Sequence, residues 1–148
     1  MVGKEYALEI RNLRVHYKIY KGVLKVLDGV NLVVRKGERV GLVGETGCGK
    51  TTTLKSVMGI LARNAIIEGG EILIDGYHTL KVVDKKVFQK PAKHVAMVFQ
   101  DPTAALNPVF TIGEQIELVV RYAANRIADT KDAAIKALKL ARLPDAYR

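Results

Sequence analysis

A short apolar run, Arg39-Val40-Gly41-Leu42-Val43, leads directly into Gly44-Glu45-Thr46-Gly47-Cys48-Gly49-Lys50-Thr51. No other stretch restricts the possible folds so tightly. A chain that leaves a strand-like run through glycines and restarts as a helix has several backbone N–H groups without partners. Those groups converge with the positive end of the helix dipole, which makes an anion site. Gly44, Gly47 and Gly49 let the backbone turn sharply and approach bulky phosphate oxygens. Lys50 adds a point charge for the terminal phosphates, and the Thr51 hydroxyl is a candidate Mg²⁺ ligand. The eight residues satisfy G-x-x-x-x-G-K-[ST] position by position, in the strand–loop–helix context that the motif requires. Glu45, Thr46 and Thr52 enter as donors of backbone amides. Cys48 is read as a small residue contributing its amide, with a redox role as the alternative.

The flanking sequence supplies that context. Arg39–Val43 is short, apolar and closed by glycines, which predicts a buried central strand. Leu54, Val57, Met58 and Leu61 fall at i, i+3, i+4 and i+7, which predicts a helix from near Gly49 to around Asn64. Upstream, the alternation over 7–11 and 13–15 reads as a half-buried strand with bends, and Val30–Val34 as a second strand closed by the turn-like 35–38. Downstream, Gly69-Gly70 reads as a break before a strand over 71–74 that turns at Asp75-Gly76. Residues 81–93 read as polar, basic and exposed, and 94–99 as a second buried strand. From Ile112 the pattern becomes helical, with Ile116, Val119, Val120 and Ala123 on one face, and Ala134, Leu138 and Ala141 recur at similar spacing. The fold class expected is α/β.

Composition bounds what such a chain does. At 148 residues it is the size of one ordinary domain, and no apolar run is long enough to span a bilayer. The start of the chain carries no apolar block of signal-peptide type, and the lone Cys48 excludes an internal disulfide, which fits a reducing compartment. The net charge of +9 raises nucleic acid as a partner. The basic residues are dispersed, however, and not interleaved with stacking aromatics as in single-strand platforms. They read as a solvated basic surface, with attraction to anionic lipid headgroups or phosphates as the alternative. No nucleic acid is expected.

Taken together, 39–53, the Gly69–Gly76 block and Val98-Phe99-Gln100-Asp101-Pro102 resemble the ATP-binding-cassette ATPases. The longer phrase VFQDPTAALNPVFTIGEQ, residues 98–115, is similar to the oligopeptide/dipeptide importer branch. The resemblance implies a nucleotide-binding core over 1–111 and the start of a helical subdomain over 112–148. It implies that ATP and Mg²⁺ bind at 44–52, with Lys50 and Gln100 catalytic and with Thr51 and Gln100 at the metal. It also puts Tyr17 where such ATPases carry the aromatic that stacks on adenine, with Tyr20 as a competitor. The implied partners are permease subunits reached through the segment that Gln100 begins, a second ATPase subunit arranged head-to-tail and, indirectly, an extracellular solute-binding protein. The implied location is the inner face of the cell membrane.

The same resemblance draws attention to what is missing. Hydrolysis needs a carboxylate that completes the Mg²⁺ site and a group that positions water. In this family these come from an apolar strand ending in Asp-Glu and a later switch histidine, together with a serine-glycine signature. The sequence contains no S-G-G and no apolar run ending in Asp-Glu; Asp75 is followed by Gly76, and His16, His78 and His94 all precede Gln100. The chain therefore resembles the N-terminal half of an importer ATPase, expected to bind Mg-ATP and hydrolyse it poorly or not at all. Two other readings stay open. One is a cassette protein outside transport, or a regulatory nucleotide binder. The other is a small P-loop kinase using Arg121, Arg126 and Arg142, although no glycine-bounded lid surrounds them.

Overall fold

The structure, a computed structural model, describes residues 5–90, 95–101, 105–123 and 130–143. His94, Pro102 and Arg126 lie outside the described residues. The chain divides into two compact units, Met1–Ala96 and Met97–Arg148.

The first unit is built on one antiparallel sheet. Strands β1 (Tyr6–Ile19), β2 (Gly22–Arg35), β3 (Ala65–Ile74), β4 (Tyr77–Val83) and β5 (Lys86–Gln89) lie in the order β2-β1-β3-β4-β5. Helix α1 (Lys50–Met58) follows β2. The predicted bends in the first strand are bulges: the β1–β2 register shifts between Ile10 and Leu13, where Asn12 adopts φ 48°. At the same level β3 runs through Gly69-Gly70 without a break. A Cβ on Gly70 would lie 2.6–2.7 Å from the backbone of 11–13, so the glycine marks where the two strands close over the bulge.

One face of the sheet carries the core, with Ile10, Leu13, Val15, Leu27, Ile72, Ile74 and Leu80 joined by Val57 of α1. Glu9 is buried on β1, and Arg11 makes this tolerable by bridging Glu9 at 2.6 Å and Glu71 of β3 at 2.9 Å. Those two carboxylates, Glu9 foremost, hold the Arg11 guanidinium above its ordinary pKa.

Two predicted strands do not form. Residues 39–43 and 95–99 pair with no strand among the described residues, and Val43 and Val98 are 93% and 96% exposed. An apolar run identifies a segment able to pack on both faces, but strand structure also needs a neighbour for its N–H and C=O groups. The ladders among the described residues are all antiparallel and join β1 to β2, β1 to β3, β3 to β4 and β4 to β5. Helix α1 also stops earlier than predicted, at Met58. Gly59 takes φ 72°, its N–H donates to Ser56 O and that of Ile60 to Lys55 O, the two bonds of a Schellman stop. Leu54, which shares the periodicity of Val57, is exposed whereas Val57 is buried.

The second unit holds α2 (Ile112–Ala123) and α3 (Thr130–Leu140), which pack on each other. Thr111 and Glu114 start α2 as a capping box: Thr111 N and Oγ1 donate to Glu114 Oε2 at 2.8 and 2.9 Å, and Glu114 N donates back to Thr111 Oγ1. Of the residues that recur at helical spacing, Ala134 and Leu138 are buried, and Ala141 is exposed in the turn after α3. Val119 is 66% exposed, so the sheltered side of α2 runs through Ile116 and Val120 without it.

Candidate functional site

The 44–51 loop closes onto the start of α1. Its last glycine, Gly49, occupies the N-cap with φ 95° and ψ 0°. A Cβ there would lie 2.7 Å from Leu27 Cδ2 and 3.2 Å from the Val26 carbonyl oxygen. The helix is thus seated against β2 at a point where no side chain fits. Thr53 and Ser56 fasten the next turn, their hydroxyls donating to the carbonyls of Gly49 and Thr52.

Thr53 N donates to Gly49 O, which makes it the first amide of α1 with an intrahelical partner. The amides of Lys50, Thr51 and Thr52 precede it and have none. No side chain caps this terminus and no acidic residue lies in the first turn, so nothing in the helix neutralises its positive end.

Lys50 reaches back across the loop. Its Nζ donates to the carbonyl oxygens of Gly44 and Glu45, both at 2.6 Å, with Cys48 Sγ 3.4 Å away. An ammonium has three donors, and a thiol is a weak acceptor. Two donors are therefore committed to holding the loop, and the third can turn to an anion at little cost. Gly44 and Cys48 approach closely too, since a Cβ on Gly44 would meet Cys48 Sγ at 2.8 Å. The donor set suits an anion: the unpartnered amides at the start of α1, one ammonium and no acid in the first turn of the helix. The Cys48 amide is not among them, because it donates to Glu45 O at 3.3 Å. For a cation the fit is partial. The Thr51 hydroxyl is exposed, but no group of three His, Cys, Asp or Glu residues that could hold a metal exists among the described residues.

Tyr17 is half-buried on β1, paired across to Leu24 and Ala65 and packed against the core, two residues beyond the Leu27 partner Val15. Tyr20 points fully into solvent. Gln100 belongs to the second unit and is exposed. Two contributors escaped sequence reasoning. Leu27 and Thr53 position the loop, and their signal was only the apolar register of β2 and the third threonine after Lys50.

A match to the family described as ABC transporter spans residues 27–148. A "Probable peptide ABC transporter ATP-binding protein" of Sinorhizobium fredii is 36% identical over 143 residues, covering 95% of this chain and 43% of its own length. The dipeptide transport ATP-binding protein DppD of Lactococcus lactis is 35% identical, covering 98% of this chain and 42% of its own length. The oligopeptide transport ATP-binding protein OppD of Salmonella typhimurium is 32% identical, covering 95% and 42%. The chain thus spans about two fifths of the length of these relatives.

Proposed function

The chain belongs to the ABC transporter family, and from that premise we propose that it binds the triphosphate of Mg-ATP in the 44–52 loop, as the N-terminal part of an importer's ATP-binding subunit. The observation that carries this reading is the Lys50 ammonium held inside a loop whose amides, at the start of α1, have no other partner. In this reading Gly44, Glu45, Thr46, Gly47, Cys48, Gly49, Lys50, Thr51 and Thr52 hold the phosphates. Thr51 ligates Mg²⁺ and Tyr17 stacks on the adenine; for Gln100 the family resemblance alone implies a catalytic and metal role. The bound ion would neutralise phosphate charge as the terminal phosphate is transferred to water.

The solutes proposed are peptides or similar small molecules, in keeping with the names of the relatives. The proposed functional division is a nucleotide-binding core over 1–111 and the start of a helical subdomain over 112–148. Permease subunits and a second ATPase subunit are the proposed partners, with a solute-binding protein acting indirectly. The proposed location is peripheral, at the inner membrane face; among the described residues no helix is long and apolar enough to cross a membrane. The whole protein would hydrolyse ATP. The 148-residue chain, with no Asp-Glu strand end in its sequence, would bind without appreciable turnover.

The test is a melt of the folded chain with Mg-ATP beside a phosphate-release assay. Stabilisation without steady phosphate release is the expected result. No stabilisation would contradict the binding, and phosphate release abolished by Lys50→Ala would contradict the weak turnover.

A further inference from the structure

Residues 81–90 form part of a β-hairpin that the nucleotide reading does not use. Its turn, Asp84-Lys85, has φ 49° and 62°, the two positive values of a type I′ connection. Lys81 lies opposite Phe88 and Val83 opposite Lys86, so these four side chains share one face of the β4–β5 pair. Lys90 follows two residues beyond Phe88, with its N–H bonded to Thr79 O. The other face points Leu80 into the core. Phe88 is 59% exposed and Val83 40%. Lys81, Lys86 and Lys90 are exposed and form no ion pair among the described residues. Asp84 is the one acid within 77–90, and across the sheet Glu71 of β3 lies opposite Lys81 but is engaged by Arg11 at 2.9 Å.

Lys86 on β5, an edge strand, and Lys90 just beyond it have an ordinary use: lysines there discourage edge-to-edge aggregation. That accounts for the charges but not for an aromatic ring and a valine displayed on the same face, where they would promote the association that lysines prevent. The two features are compatible if the face meets a surface that is anionic outside and apolar beneath.

We infer that this hairpin face docks on an anionic lipid bilayer. Phe88 and Val83 enter the boundary between headgroups and acyl chains, and the ammonium groups of Lys81, Lys86 and Lys90 lie at headgroup phosphates on flexible apolar stems. A nucleic acid would match the charges, but it would offer one base to one ring and nothing to the valine. The inference is independent of nucleotide binding, because it uses no residue of the 44–52 loop.

The chain has no tryptophan, so Phe88→Trp installs a single reporter at the contact. With vesicles of phosphatidylcholine and phosphatidylglycerol its emission shifts to the blue and the protein floats with the lipid. Both effects weaken with salt and are absent with phosphatidylcholine alone or with inorganic phosphate. In the unlabelled chain, replacing Lys81, Lys86 and Lys90 with Gln lowers partitioning by roughly a hundredfold, at the usual gain per surface lysine. Phe88→Ser lowers it about tenfold and keeps the salt dependence. Far-UV circular dichroism confirms that each variant is folded. Equal flotation on neutral and anionic vesicles, unchanged flotation of the triple lysine variant, a blue shift with phosphate alone, or binding of a single-stranded oligonucleotide in place of vesicles would each overturn the inference.

Discussion

Leu27 occupies the space where any residue other than glycine at position 49 would place its Cβ, at a separation of 2.7 Å. The contact joins a core strand to the start of α1, so packing fixes where the helix begins. Gly49→Ala meets both this overlap and the strain of φ 95°, and is expected to cost about 2–4 kcal/mol in denaturant unfolding. In a Leu27→Ala background the overlap disappears and the added cost falls to about 1–3 kcal/mol, the backbone part alone. Equal costs in the two backgrounds would show that the contact is not the source.

Lys50→Met removes the ammonium that bridges Gly44 and Glu45. Both acceptors are solvent-exposed, so stability without nucleotide should change by no more than about 0.5 kcal/mol. With Mg-ATP at about 100 times the dissociation constant, the parent chain gains about 2.7 kcal/mol and the variant gains little. Equal gains in thermal melts would remove Lys50 from the binding account.

Gly59→Ala tests the stop of α1. The left-handed conformation and the two capping bonds favour glycine, so the variant should lose about 1 kcal/mol. The Gln89 side chain would also have to move, since it approaches within 2.7 Å of the added Cβ position. An unchanged unfolding midpoint would mean that the helix ends for another reason.

Glu114 gives the second unit a pH dependence. The Thr111 amide, and then its hydroxyl, donate to the carboxylate and hold its pKa below the ordinary glutamate range. A depressed folded-state value means that the capping contribution is fully present above that range and is lost as pH falls through the lowered value. Helicity followed by circular dichroism should therefore decline on acidification, and Glu114→Gln should flatten the part of the decline due to α2. An identical acid profile in the variant would count against the capping box.

The parts of the structure legible in the sequence were those whose cause is local. Gly44, Gly47, Gly49 and Lys50 announce the anion loop because turn geometry, helix start and charge all arise within eight residues. The bends of β1 and the turn at 35–38 were legible for the same reason. Arg39–Val43 and 95–99 were misread because strand status depends on partners, which periodicity does not reveal. The β4–β5 hairpin was missed because frequent lysines masked the alternation over 79–83, and Asp84-Lys85 lacks the glycine that usually marks such a turn. Leu27 could be recognised as a core residue but not as the seat of Gly49, a meeting across 21 intervening positions that only the β2–α1 packing creates.

The central claim is that the amides at the start of α1 hold phosphate. Amide hydrogen exchange across 44–53, measured with and without Mg-ATP, tests it most directly. The account predicts that exchange slows at Gly47, Gly49, Lys50, Thr51 and Thr52 when the nucleotide is added, and that Lys50→Ala abolishes the slowing. Unchanged exchange in this segment at saturating nucleotide, or slowing confined to other parts of the chain, would contradict it.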